Sequence, residues 1–273
     1  MSISIKHIRN QEDMASLLAE VGLAGDLFIV KPSWFSPHYG NYTEAAVLDL
    51  VLGALPGRKM VVEGYSGARN DGSREITPEN AREHWAWIRD QDRWFLESTG
   101  IGAVLARRGV EYLNVTEEVW QGRIADPATI AALVEARYPG VVRHRELFAA
   151  VPKRLFDLRG TPLISLARLK TGSFALKNLF GLIPDPIRLP WHEYLGEAIV
   201  EIVAIYGSLF PTVGVVEGIY RTTLYREGGY YHTPWGDYDV MEGPGIALAG
   251  RDLVALDASA FRLLGLDPEE RTF

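Results

Sequence analysis

The chain has 273 residues and no cysteine. That excludes disulfides, thiolate zinc sites, a cysteine nucleophile and an iron–sulfur cluster ligated by this chain. It fits a cytoplasmic protein. Positive charge is in deficit: 28 Lys and Arg face 35 Asp and Glu, a net −7. Neither nucleic acid nor an anionic membrane is therefore an expected partner. No apolar run approaches the length of a membrane span, and the first residues lack the apolar core of a signal peptide. The glycine-rich stretch 64–73 lacks the Gly-Lys-Ser/Thr ending of a phosphate loop and the spacing of a dinucleotide fingerprint. Gly64-Tyr65-Ser66-Gly67-Ala68 follows a strand, but Asn70-Asp71-Gly72-Ser73 reads as loop, so the helix a nucleophile elbow needs is absent. The six histidines are scattered, and none pairs at helical metal-ligand spacing. His38 is the best placed, just after the first predicted strand.

What is present is an ordinary globular composition, 47% hydrophobic and 23% charged, with short apolar segments alternating with helical ones. Strands are predicted at residues 26–31, 58–63, 110–115, 162–167 and 212–217, with a short one at 246–249. Helices are predicted at 12–21, at 44–55 with Thr43 as cap, and from Thr77-Pro78 through Phe95. Further helices are expected at 101–108, at 127–138 capped by Asp126, at 191–209 and at 253–264. Trp85, Ile88 and Phe95 share one face of the third helix and read as core. This alternation predicts an α/β fold, a mainly parallel sheet with helices on both faces, in one domain over 1–273. Residues 219–245 break the rhythm with Tyr220, Tyr225, Tyr230, Tyr231, Trp235 and Tyr238. So long a connection rich in aromatics predicts an ordered flap or hairpin over a site.

In open parallel sheets, ligands sit beyond the carboxyl ends of the strands. Here those ends carry Lys31, Glu63 and Glu217, and a fourth strand runs into Lys170. Lys170, Thr171, Lys177 and Asn178 stand among apolar and small residues, where a cation is costly to bury unless something anionic meets it. The expected site therefore uses Lys170, Glu63 and Glu217 for acid/base chemistry, with the two glutamates pushing each other's pKa apart. Lys31, Thr171, Lys177, Asn178, His38, Tyr231 and Trp235 are expected to bind the substrate. Asp252 and Asp257, with Glu217, offer oxygen ligands for a hard divalent metal such as magnesium; Asp252 can equally be a helix cap.

Several motifs carry a resemblance. They are Lys31-Pro32, the Val-Glu-Gly strand end, Leu169-Lys170-Thr171, Leu176-Lys177-Asn178-Leu179-Phe180-Gly181, Glu242-Gly243-Pro244-Gly245 and the segment from Ala249 to Ala258. Together they resemble the domain of unknown function 362 family, from about the first strand to the last helix. Members of the family often carry a ferredoxin-like iron–sulfur module and are described as possible iron–sulfur or redox proteins; this chain has no such module, so that description does not carry over. Three departures stand out: Ser33 stands where the family often shows asparagine after Lys-Pro, Gly172 stands where it often shows histidine after Lys-Thr, and the aromatic segment 219–242 is longer than usual. The expected function is an enzyme acting on a small anionic, carboxylated or phosphorylated metabolite. The alternatives are a non-catalytic binding or accessory protein and a redox protein using an external electron donor. A homo-oligomer is compatible with the sequence.

Overall fold

In the computed structural model, residues 3–172 and 174–270 are described. The chain begins with β1 (Ser4–His7), α1 (Gln11–Glu20), β2 (Leu27–Pro32), α2 (Ala45–Ala54) and β3 (Arg58–Glu63). It continues through α3 (Trp85–Ser98), α4 (Ile101–Arg108), β4 (Glu111–Asn114), α5 (Val115–Trp120) and α6 (Pro127–Arg137). Next come α7 (Lys153–Asp157), β5 (Leu163–Arg168), α8 (Ala175–Asn178), α9 (Leu195–Leu209) and β6 (Thr212–Gly218). The last elements are β7 (Arg221–Tyr225), β8 (Tyr231–Thr233), β9 (Gly236–Glu242), β10 (Ile246–Gly250) and α10 (Leu253–Leu263).

Seven strands form the main sheet in the order β1-β10-β6-β5-β2-β3-β4. The run from β6 to β4 is parallel, while β10 and β1 join antiparallel. The parallel strands are apolar runs rather than alternating ones; all six residues of β5 are buried. Such runs need cover on both faces. One face packs Phe28, Val30, Val61, Ile164 and Val215 against α1, α2 and α4. The other packs Ile29, Val62, Leu163, Ala167 and Val216 against α6, α9 and α10. The expected architecture is the one observed. Among the described residues no helix is long and apolar enough to cross a membrane.

The aromatic interval forms a second, three-stranded antiparallel sheet, β7-β9-β8. It is stitched to the end of β5, where Thr171 N–H donates to Thr223 O at 3.0 Å, and to the connection after β2, where Thr223 Oγ1 donates to Gly40 O at 2.7 Å.

Three predicted helix starts differ, one of them at 191–209, where Pro190–Tyr194 is a 3-10 turn and α9 begins at Leu195. The third helix begins at Trp85, not Thr77. Asn80 holds the intervening stretch as turns: its Oδ1 accepts from Thr77 N–H and its carbonyl accepts from both Glu83 and His84. A side chain that bonds nearby backbone competes with the helix. Thr43 does not cap α2; its hydroxyl accepts from Ser33 N–H at 2.9 Å, and Glu44 takes the cap position. Glu44 leaves the helix uncapped because its carboxylate pairs with Arg168 and Arg221. The edge strand β1 is too short to show in the pattern.

Candidate functional site

Strands β5, β2 and β3 are neighbours, so their carboxyl ends bring Arg168, Lys31 and Glu63 to one sheet edge. Residues 170–172 and 174–192 fold over that edge and border a cavity of about 580 Å³. Its charged lining is Lys31, Glu63, Arg168, Lys170, Lys177 and Arg188. Phe35, Phe174, Phe180, Ile187 and Trp235 supply apolar wall. Five cations thus face one carboxylate.

That carboxylate is already engaged. Lys31 Nζ donates to Glu63 Oε2 at 2.9 Å, Pro32 O at 3.0 Å and Asn178 Oδ1 at 3.0 Å. All three ammonium hydrogens are used. Glu63 also accepts from Trp34 N–H at 3.3 Å and Gly64 N–H at 3.0 Å. Asn178 completes the arrangement, its Nδ2 donating to Lys31 O at 2.9 Å and Ser165 Oγ at 3.1 Å. A glycine at 181 is needed here, since a Cβ would lie 2.5 Å from Lys31 Nζ and 2.7 Å from Glu63 Oε1. Burial pushes the Lys31 ammonium down to about 8, with Glu63 opposing. Lys31, Glu63 and Asn178 are brought together as expected, but as a closed internal network.

The other cations are not closed. Among the described residues, neither Lys170 nor Lys177 pairs its ammonium with a carboxylate. Burial, then Lys177, Arg168 and Lys31, push the Lys170 amine down to about 7. Burial also lowers Lys177. Arg168 Nη1 donates to Tyr42 O and Glu44 Oε1, each at 3.2 Å. Its Nε and Nη2 are buried with no partner. Arg188 is spent on backbone, donating to Gly181 O and Ile183 O, and burial pushes it down to about 10.

Thr171 lines the cavity, and its hydroxyl accepts from Tyr225 N–H at 2.6 Å. Trp235 also lines it, edge-on to Phe35 with ring centres 4.8 Å apart. His38 and Tyr231 stand behind this lining. His38 packs edge-on to Trp235 at 5.3 Å, and Tyr231 stacks on Tyr238 at 5.2 Å. Gly172 has φ +134° with nothing within 4 Å of an added Cβ. That backbone suits glycine and not the histidine that the resemblance led one to expect.

Two expectations are corrected. Glu217 does not join Glu63: β6 and β3 are separated by β5 and β2, about 14 Å at the usual strand spacing. Glu217 is fully buried outside the cavity lining. Its Oε1 has no partner, and burial pushes its carboxyl up to about 7, opposed by Arg168. The carboxylates proposed for a metal also do not converge. Asp252 caps α10, accepting from Ala255 N–H at 3.0 Å. Asp257 accepts from Ala175 N–H at 2.9 Å and Leu176 N–H at 3.1 Å. The set of three His, Asp or Glu ligand atoms that does come together among the described residues is His144, Glu197 and Glu201. There the buried Glu201 already accepts from Arg143 N–H, His144 N–H and His144 Nδ1.

Sequence reasoning missed Arg168, Arg188, His192 and Tyr225 as cavity residues. Arg168 ends β5 and obeys the same strand-end rule that selected Lys31. Arg188 and His192 carry no local signal; they lie in a proline-rich stretch positioned by tertiary contacts.

No curated protein and no solved structure matches the chain. A family model described as a domain of unknown function (DUF362) matches residues 29–262. That span contains every residue lining the cavity, and the chain belongs to the DUF362 family.

Proposed function

We propose that the cavity binds a small anionic metabolite, carboxylated or phosphorylated, and acts on it by acid/base chemistry centred on Lys170. One observation carries this reading. Lys170 and Lys177 face a cavity whose single lining carboxylate, Glu63, is taken by Lys31. Both lysines are partly buried, positive charge drawn out of water without a partner is costly, and an anion from solution would supply the missing one. Lys177 holds the anion, and the guanidinium of Arg168 adds charge behind it. Lys170 is the group placed to change protonation near neutral pH. Trp235 and Phe35 cover the ligand and exclude water. The cysteine-free chain suits the cytoplasm, where such metabolites are abundant.

The test is a panel of carboxylates and phosphates screened by thermal shift, on the wild type and on Lys170→Met and Lys177→Met. A ligand at a hundred times its dissociation constant stabilises the native state by about 2.7 kcal/mol. The shift should appear in the wild type and vanish in both variants, whose aliphatic stems still fill the wall. Shifts that survive both changes would place the anion elsewhere.

A second reading, a binding protein without turnover, is favoured by Gly172, which leaves the cavity without the histidine expected there from the resemblance. Incubation with the stabilising ligand separates the two readings: an enzyme consumes it, and a binder returns it unchanged.

A further inference from the structure

Among the described residues, Lys170 and Lys177 line the cavity with no paired or hydrogen-bonded ammonium, and of the two it is Lys170 that has three other cations around it. Lys170 Nζ has no acceptor among the described residues, and Lys177, Arg168 and Lys31 surround it with like charge. If the site needed only to hold an anion, a fully charged ammonium fixed by neighbours would serve better. Instead the surroundings favour the neutral amine. Glu63 cannot act for it as a base, because Lys31, Trp34 N–H and Gly64 N–H occupy its oxygens. The remaining chemistry belongs to the amine itself. A free amine with a desolvated lone pair adds to carbonyl carbon. Lys177 and Arg168 supply the charge to hold a carboxylate next to that carbon, and Phe35, Phe174 and Trp235 give the cavity an apolar wall beside them.

We propose that Lys170 forms an imine with the carbonyl carbon of a small 2-oxo acid whose carboxylate is held by Lys177. The nitrogen lone pair forms the new carbon–nitrogen bond, and the carbonyl oxygen takes the electron pair of the broken π bond. The carbinolamine then loses that oxygen as water, which carries away both amine hydrogens. No oxidant or reductant is required. The inference rests on the anion site proposed above and narrows its ligand to carbonyl-bearing acids.

The experiment is reductive trapping on the intact protein. Pyruvate and 2-oxoglutarate are each added with borohydride, and adducts are located by peptide mapping. Lactate and 2-hydroxyglutarate, which have the same charge and no keto group, run alongside by thermal shift. The expected result is one reduced adduct per chain on Lys170, with trapping that increases as pH rises through neutrality and is suppressed by excess hydroxy acid. Because the adduct is mapped on the wild type, it does not depend on a variant folding. Hydroxy-acid shifts without any trapped adduct would overturn the imine and leave the anion site standing. Absence of both would remove both proposals, and an adduct confined to other lysines would equally overturn the assignment to Lys170.

Discussion

Lys31 Nζ lies 2.9 Å from Glu63 Oε2, with both side chains 3% exposed. This pair joins the ends of two adjacent strands and removes the most obvious catalytic carboxylate from service. It also sets the first prediction. Breaking a buried pair strands a charge and costs about 3–5 kcal/mol, whereas replacing both partners by apolar groups costs far less. Lys31→Met should therefore be strongly destabilising, and Lys31→Met combined with Glu63→Leu should recover much of the loss. Urea titration of the singles and the double decides it; additive losses would contradict a closed pair.

Asn178 holds this pair from the other side. Removing its amide leaves Lys31 short of one acceptor and strips donors from Lys31 O and Ser165 Oγ. Loss of such buried partners costs about 1–3 kcal/mol. Asn178→Leu should lower stability by that amount. Denaturant midpoints within error of the wild type would mean the amide is dispensable.

Much of this site is legible in the chain, for a physical reason. Parallel strands are apolar throughout, so a lysine or glutamate marks where the strand leaves the sheet. That is how Lys31, Glu63 and the approach to Lys170 stand out. The same reasoning fails for Glu217. Its Val-Val-Glu-Gly ending copies that of Glu63, but sequence order does not give strand order, and two intervening strands keep them apart. Arg188 and His192 are silent because their loop is shaped by distant contacts, such as Arg188 donating to Gly181 O. The start of α3 depends on one side chain, Asn80, which diverts a helix that Thr77-Pro78 would otherwise open.

Gly172 tests whether this backbone could carry a histidine. At φ +134° an L side chain is strained whatever space surrounds it, at a cost of about 1–3 kcal/mol. Gly172→His should lose that stability, and Gly172→Ala should lose nearly as much, because the cost lies in the backbone. Thermal unfolding compares them; a neutral Gly172→Ala would show that the backbone there relaxes freely.

Lys170 links ligand binding to pH. Its amine is pushed down to about 7, first by burial and then by Lys177, Arg168 and Lys31. An anion without a carbonyl binds the ammonium form and draws the pKa back up. Its affinity should be full below about pH 7 and fall above it, by roughly tenfold per pH unit for one linked proton. Imine trapping should run the opposite way, since it needs the free amine. Lys170→Arg keeps the charge and removes the titration, so anion affinity should become flat across this range. Calorimetry in buffers of different ionisation enthalpy reads the linked proton directly; no proton uptake above neutrality would contradict this role.

Glu217 makes the opposite contribution to stability. Its carboxyl is pushed up to about 7 from the ordinary 4.5, by burial above all, with Arg168 opposing and Glu44 adding. A carboxyl whose folded pKa is raised folds best while protonated. Its full benefit is present below pH 4.5 and is lost as pH rises towards 7. A displacement of that size corresponds to roughly 3 kcal/mol. Glu217→Gln keeps the shape and removes the charge. Its stability relative to the wild type should therefore climb between about pH 4.5 and 7 and level off above. Asp257 is also pushed up to about 7 by burial, so only the difference between variant and wild type isolates Glu217. Since Glu217 does not line the cavity, ligand-induced thermal shifts should be the same in both proteins. Parallel stability curves across that interval would mean the carboxylate is solvated after all, and a lost ligand shift would return Glu217 to the site.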